Sequence, residues 1–226
     1  MDYVFQFGAV WDHRWDLLDG AWLTLRLSGG AFVIGLWLAG MLAYARETAP
    51  SAVRIAIGAY TELMRNTPLL VQLFVLYFSL PSLGIRLDAD AVALIGLTLN
   101  FAAYGGEILR GGMLSIPPGQ IEAARALGLS RWHTFRHVVL LPALRVAYPA
   151  LASQFVLMML GSSVVSAISA TDLTAITNTL QSTTFRSFEF YFTTTGIYLL
   201  MALLTRAILA LGYQYLFPAA RRNAPA

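Results

Sequence analysis

The stretch VAYPALASQFVLMMLGSSVVSAI, residues 146–168, contains no charged side chain. An α-helix needs about 20 apolar residues to cross a hydrocarbon core of about 30 Å, so this stretch predicts a transmembrane helix. The whole chain has a similar character, since 58% of its 226 residues are hydrophobic and only 12% are charged. Soluble domains carry about 25% charged residues. Because so few charges cannot cover a surface that faces water, we predict an all-α, polytopic membrane protein.

Five apolar windows are long enough to cross a membrane: 22–44, 53–80, 91–110, 146–168 and 191–217. The second window is interrupted at Asn66-Thr67-Pro68, a capping residue type followed by a proline that suits a helix start. We expect residues 53–65 to lie partly in the interface, with the crossing itself beginning near Thr67. Glu62 and Arg65 stand one turn apart before the break, and they could either form an ion pair or support the break.

Basic and acidic connections alternate along the chain. Arg outnumbers acidic residues in 45–54, in 110–145 and in the tail that holds Arg221 and Arg222, whereas 1–21, 81–90 and 170–190 are net negative. The acidic N-terminus does not have the charge of a cleavable signal peptide. The positive-inside rule places the connections with the most Arg in the cytoplasm, and it therefore predicts an N-terminus outside and a C-terminus in the cytoplasm.

The chain contains no Cys and no Lys. The first absence excludes disulfides and thiolate metal sites, and the second excludes a Walker-type phosphate loop. His133 and His137 stand four apart among arginines, which disfavours a cation site. We predict no catalytic residue, metal or cofactor on this chain. The sequence pI of about 9.4 does not indicate a nucleic acid partner, because membrane proteins concentrate Arg on one face.

Residues 117–142 form the longest segment between spans and are too ordered in pattern for a passive loop. A Pro-Pro-Gly run ends the preceding helix, residues 120–128 favour a short helix, and Gly128 can end that helix in a left-handed conformation. Ser130 can cap a second short helix through about His137, and Pro142 marks its end before span four. Spacing alone leaves two possibilities open: a cytoplasmic knob that docks on a partner, or a basic hairpin that rests on anionic membrane lipid.

The segment Glu122-Ala123-Ala124, followed after three residues by Gly128, resembles the EAA loop of ABC-importer permeases. The resemblance extends to YTELMRNTPLLVQ at 60–72 and to LTLNFAAY at 97–104, and further to Glu107, Arg110 and IPPGQ at 116–120. This ordered set resembles the polar amino acid branch, the permeases of histidine-, arginine- and glutamine-type uptake systems.

The resemblance implies a type I ABC-importer (MetI-like) permease with five transmembrane helices in a single domain, residues 1–226, in the bacterial inner (cytoplasmic) membrane. Two permeases pair in that family over an ABC ATPase dimer, which binds the ATP and Mg, and a periplasmic or extracellular substrate-binding protein delivers the substrate. This chain is then a transport subunit and not an enzyme. Coupling to the ATPase falls to Glu122, Ala123, Ala124 and Gly128.

The chain departs from the family in span four. Many relatives carry Lys-Asp/Asn-Thr/Ser-Ser where this chain has Leu160-Gly161-Ser162-Ser163, and Gln154 stands where some relatives for cationic substrates have Glu. The lost charge predicts a second permease, a paralogue, that supplies more of the substrate contacts. The polar residues left as candidates for the substrate pathway are Gln72, Asn100, Tyr104, Gln154, Ser162 and Ser163. The serines could instead bond their own helix backbone.

A secondary transporter driven by an ion gradient is the alternative of a different class. Such proteins carry inverted repeats and ionisable relays inside the membrane. The sequence shows no internal repeat, and Glu107 and Arg110, three residues apart, are expected to form a structural ion pair.

Overall fold

The computed structural model describes residues 3–218 of the chain, which leaves Arg221 and Arg222 of the tail outside the described residues. This part of the chain is helical and holds no strand. Its helices are α1 (Gly8–Asp12), α2 (Arg14–Thr48), α3 (Ser51–Asn66), α4 (Leu69–Ser79), α5 (Ala89–Leu114), α6 (Pro118–Ala126), α7 (Arg131–Thr134), α8 (Leu141–Gly161), α9 (Leu173–Thr184) and α10 (Ser187–Leu216).

Four continuous helical segments are long and apolar enough to cross a membrane: Arg14–Thr48, Ala89–Leu114, Arg131–Ile168 and Ser187–Leu216. A fifth crossing is formed if Ser51–Asn66 and Leu69–Leu83 count as one span, bent by 108° between them. The break lies where the sequence predicts it, because Thr67 and Pro68 are both extended. The prediction of an all-α, polytopic membrane protein is confirmed.

The second short helix of the segment 117–142 does not end at Pro142, so that prediction is wrong. The chain runs from α7 through a π-helical turn, Phe135–Leu140, directly into α8. Pro142 lies in the first turn of α8. A proline has no N–H and its ring clashes with the carbonyl four residues before it, and the wider π turn relieves this conflict.

The acidic connection 170–190 contains a helix, α9, that the span count overlooks. The buried Asp172 begins α9, and its carboxylate accepts a hydrogen bond of 2.8 Å from the N–H of Ala175. Leu173, Thr177 and Leu180 form its buried face. An aspartate followed by apolar residues at helical spacing is a start signal that sequence reasoning could have used.

Small residues allow α2 and α5 to pack closely at the centre of the molecule. Ala31, Gly35, Ala39 and Ala43 repeat every four residues on the buried face of α2. A Cβ added to Gly35 would lie 2.9 Å from Cδ1 of Phe101. Such spacing of small residues brings membrane helices together where bulk apolar side chains cannot.

The last helix, α10, packs least against the rest of the chain. Only 6% of its apolar window is buried, against 61% for α5. In a single subunit, most of the surface of α10 is therefore free to contact lipid or another chain.

Candidate functional site

The break between α3 and α4 leaves several backbone carbonyls without helical partners, among them the carbonyl of Met64. Pro68 has no N–H, so the carbonyl of Met64 cannot form the usual bond to the residue four positions later. Two side chains replace the missing donor. Nε2 of Gln72 lies 2.9 Å from this oxygen, and Nδ2 of Asn100 lies 3.4 Å from it.

Gln72, Asn100 and Tyr104 together hold the unwound backbone. The Gln72 amide also donates to the carbonyl and the hydroxyl of Thr67, at 3.1 and 2.9 Å. The hydroxyl of Tyr104 donates to the Arg65 carbonyl at 3.3 Å. Three of the predicted pathway residues therefore meet at one place. Their hydrogen bonds go to backbone carbonyls, to the Thr67 hydroxyl and, between Asn100 and Gln72, to each other.

Glu62 supports the break and forms no ion pair with Arg65 in the described part of the chain. The carboxylate of Glu62 accepts a hydrogen bond of 2.6 Å from Nδ2 of Asn66. The guanidinium of Arg65 lies over the ring of Tyr104, 5.6 Å from its centre. Asn66 ends α3, and Pro68 is the cap of α4. The proline therefore starts α4 as expected, but it occupies the cap position itself, and neither Asn66 nor Thr67 caps α4.

The three pathway candidates on span four form no hydrogen bond to this cluster within the described residues. Ser162 is buried, and its hydroxyl donates to the carbonyl of Met159 at 2.7 Å. This is a bond to its own helix backbone, the alternative to a role in the substrate pathway. The Ser163 carbonyl accepts from the hydroxyl of Ser166 at 2.8 Å. Gln154 is half-buried and its side chain forms no hydrogen bond to the residues between Tyr3 and Pro218.

The EAA segment forms α6 and ends in a rigid corner. Gly128 has φ +81°, the left-handed conformation expected of it. Its N–H donates to the Arg125 carbonyl at 2.9 Å, and the N–H of Leu129 donates to the Ala124 carbonyl at 3.1 Å. These two bonds form a Schellman motif, which fixes the direction in which the chain leaves the helix. The hydroxyl of Ser130 then caps α7 by accepting from the N–H of His133 at 3.3 Å.

The coupling loop, which we define as residues 117–130, presents a small and partly apolar surface. Glu122, Ala123 and Gly128 are exposed, whereas Ala124 is buried and faces the protein. Leu127 is 81% exposed at the corner. Sequence reasoning missed Leu127, although an apolar residue directly before a helix-ending glycine is a visible signal. Leu127 therefore adds a large apolar side chain to the exposed surface of the coupling loop.

The expected ion pair between Glu107 and Arg110 is present near the end of α5, with 2.7 Å between Nη2 and Oε2. The rings of His133 and His137 lie 6.0 Å apart. No group of three or more potential metal ligands occurs among the described residues.

A second polar cluster, at the N-terminal end of α10, was not predicted. Glu189 is fully buried and accepts hydrogen bonds from the hydroxyl of Tyr3 and, at 2.8 Å, from the N–H of Gln6. Nη2 of Arg186 donates to Oε1 of Gln6 at 2.6 Å. This cluster connects the first residues of the chain to the start of α10. The partners in these hydrogen bonds are 180 or more positions apart, so sequence spacing gives no sign of the cluster.

Comparison with known proteins agrees with this architecture. The family model for "binding-protein-dependent transport system inner membrane component" matches residues 31–222. The chain is 36% identical over 223 residues to the octopine transport system permease protein OccM of Rhizobium meliloti, covering 95% of this chain and 91% of that protein. It is 35% identical over 211 residues to the glutamine transport system permease protein GlnP of Escherichia coli (strain K12), covering 91% and 94%.

Among solved structures, the chain is similar to the crystal structure of an amino acid ABC transporter with histidines. The TM-score is 0.87 at 32% identity, and the match covers 94% of this chain and 100% of that one. The chain belongs to the family of binding-protein-dependent transport system inner membrane components.

This membership confirms the predicted resemblance to ABC-importer permeases and favours an ATP-driven importer over an ion-gradient transporter. The protein is a multi-pass component of the inner membrane, and its family implies an ATPase and a substrate-binding protein as partners.

Proposed function

We propose that this chain is the permease subunit of an importer for polar amino acids. It forms part of the translocation path and receives the movement of a partner ATPase dimer, which holds the ATP and Mg, through the coupling loop. The observation that carries the proposal is the rigid corner at Gly128, with Glu122, Ala123 and Leu127 exposed around it. The names of the relatives OccM and GlnP, together with the amino acid ABC transporter structure, support the substrate class.

The route from the coupling loop to the membrane is stiff. The loop joins α7 through the Ser130 cap, and from Arg131 to Gly161 the helical backbone has no connecting loop. A displacement of α6 therefore moves the cytoplasmic end of α8 instead of being absorbed by flexible chain. Glu122, Ala123 and Leu127 contact the ATPase in this proposal, while the buried Ala124 and the left-handed Gly128 hold the shape of the surface.

The substrate path passes along the helix break and span four. Gln72, Asn100 and Tyr104 contribute polar groups to this path at the break, and Gln154 and Ser163 contribute them from span four. Ser162, which is buried and bonded to the Met159 carbonyl, supports its own helix beside the path. Unwound backbone at membrane depth is tolerated where it lines a cavity, which supports this placement. Because span four carries Leu160 and Gly161 where many relatives carry charges, a paralogous permease supplies further contacts to the zwitterionic substrate.

The orientation follows from charge. The Arg-rich coupling loop lies in the cytoplasm, and the N-terminus faces the outside, where the binding protein delivers substrate.

Reconstitution into proteoliposomes tests the function. The chain, its ATPase and its binding protein are combined with or without the second permease, and amino acid uptake and ATP hydrolysis are measured together. We expect substrate-stimulated hydrolysis and uptake only from the four-component system. Full uptake without the second permease would contradict the proposal that a paralogue is needed. If substrate does not stimulate ATP hydrolysis with all four components present, the proposed importer function is wrong.

A further inference from the structure

A large apolar cavity lies between α2, α5, α8 and α10, with the π-helical turn at one end. Its volume is about 350 Å³, more than twice that of an engineered cavity of about 150 Å³ that binds benzene. Its walls are aliphatic and aromatic, apart from the hydroxyl of Tyr148, and that hydroxyl already donates to the Leu209 carbonyl at 2.9 Å. The cavity therefore offers space to an apolar group and no free polar group.

A second groove of about 360 Å³, mostly apolar but with a few polar side chains, adjoins the cavity and shares three of its wall residues, Tyr148, Ala152 and Leu209. The groove is lined on its other sides by Ser153, Arg206 and other residues of α8 and α10. Arg206 is exposed, and its guanidinium forms no ion pair or hydrogen bond within residues 3–218. An arginine inside a membrane span needs a partner or contact with the headgroup region.

The depth of Arg206 in the membrane determines which chemical groups its guanidinium can reach. The 30 residues of α10 extend over about 45 Å, so part of the helix lies outside a hydrocarbon core of about 30 Å. Exposed Tyr191 and Phe192 mark one edge of that core as interfacial aromatics. About 20 residues from there reach the opposite edge near residue 210, which places Arg206 about one turn inside it. The guanidinium can extend from this depth to the phosphate layer.

We propose that the cavity and the groove together bind one anionic phospholipid of the inner leaflet. An acyl chain enters the apolar cavity, and the phosphate of the headgroup pairs with the guanidinium of Arg206. The leaflet follows from the orientation proposed above.

The geometry matches this ligand in two ways. Apolar space and a cation lie side by side, in the order in which a phospholipid presents its acyl chain and its phosphate. Guanidinium binds phosphate by paired, charge-assisted hydrogen bonds, and basic pockets between membrane helices bind anionic headgroups. A zwitterionic lipid has its own cation beside the phosphate and gains less from Arg206.

Native mass spectrometry of the full-length chain in detergent tests the site, with phosphatidylglycerol and phosphatidylcholine of identical acyl chains as probes. Arg206→Gln removes the cation, and Arg54→Gln is its control because Arg54 is also exposed but lies on α3, away from the groove. Gly40→Leu fills the cavity. Gly29→Leu is its control on the same helix, because an added Cβ meets nothing within 4 Å at either glycine and only Gly40 lines the cavity.

We expect the wild type to bind phosphatidylglycerol about tenfold more tightly than phosphatidylcholine, which corresponds to one charge-assisted contact. Arg206→Gln should remove this preference, Gly40→Leu should weaken the binding of both lipids, and the two controls should match the wild type. Equal binding of the two lipids by the wild type would overturn the proposal. So would an Arg206→Gln variant that keeps the preference, since another group would then select the anionic headgroup.

Discussion

The side-chain amide of Asn100 donates a hydrogen bond of 3.0 Å to Oε1 of Gln72, joining α5 to the first turns of α4. Both amides also bond to the Met64 carbonyl at the end of α3. Two side chains therefore connect three helices at the point where one span is broken. The bend can persist in a membrane because these amides supply donors that water would otherwise supply.

Gln72→Leu should destabilise the protein by about 1–3 kcal/mol, because the Met64 carbonyl loses its best donor while staying partly buried. The measurement is the thermal unfolding midpoint of the purified protein, followed by tryptophan fluorescence. Gln154→Leu is a matched control, since Gln154 is also half-buried in a membrane helix but has no hydrogen-bond partner within residues 3–218. Equal midpoints for the two variants would contradict the supporting role of Gln72.

Local chemistry explains which parts of this arrangement the sequence predicts. Pro68 removes an N–H whatever surrounds it, so the break was predictable from three residues. The partners of the break were not, because Asn100 lies 28 positions from Gln72 and only the packing of α4 against α5 brings them together. The Gly128 corner was predictable in the same way, because its bonds join neighbouring residues. The contact between Tyr3 and Glu189 was not, because it joins residues far apart in the sequence.

The packing of α2 on α5 should be sensitive to a single methyl group at Gly35. A Cβ there would meet Cδ1 of Phe101 at 2.9 Å and the Thr98 carbonyl at 3.1 Å, so Gly35→Ala should cost about 1–3 kcal/mol through overpacking. Gly29→Ala, on the same helix with nothing within 4 Å, should leave the unfolding midpoint within about a degree or raise it slightly. A Gly35→Ala protein as stable as the wild type would show that the two helices can separate without cost.

Sidedness can be tested with thiol labelling, because the chain has no native Cys. A cysteine at the exposed Ala126 of the coupling loop should react with a membrane-impermeant maleimide only after the cells are opened. One at the exposed Ser82, between α4 and α5, should react in intact cells. The opposite accessibility would reverse the proposed orientation.

Burial raises the pKa of the Asp172 carboxyl, although hydrogen bonds from Ala175 and Tyr198 oppose the shift. The folded protein then binds this proton more tightly than the unfolded chain does. The free energy of unfolding should accordingly be largest below the unfolded pKa of about 4 and should fall as pH rises through the folded pKa. Asp172→Asn keeps an oxygen that can cap α9 and should flatten this dependence in unfolding midpoints measured across pH. Asp88→Asn, at the exposed cap of α5, is the control and should keep the wild-type dependence of the unfolding midpoint on pH. If Asp172→Asn also kept the wild-type dependence, another group would be responsible for it.

The corner at Gly128 should be required for coupling and not for insertion into the membrane. Gly128→Pro cannot keep φ +81°, because proline fixes φ near −65°, and it also removes the N–H that bonds the Arg125 carbonyl. The exposed surface around Leu127 would then point away from the ATPase, and losing such a contact should reduce uptake in proteoliposomes by about tenfold or more. Gly119→Ala is the control in the same loop, because Gly119 lies in the first turn of α6 with no atom within 4 Å of an added Cβ, and alanine favours a helix. Both variants should reach the membrane in wild-type amounts, as measured by immunoblotting of membrane fractions. If Gly128→Pro supports uptake as well as Gly119→Ala does, the coupling loop does not transmit movement through this corner.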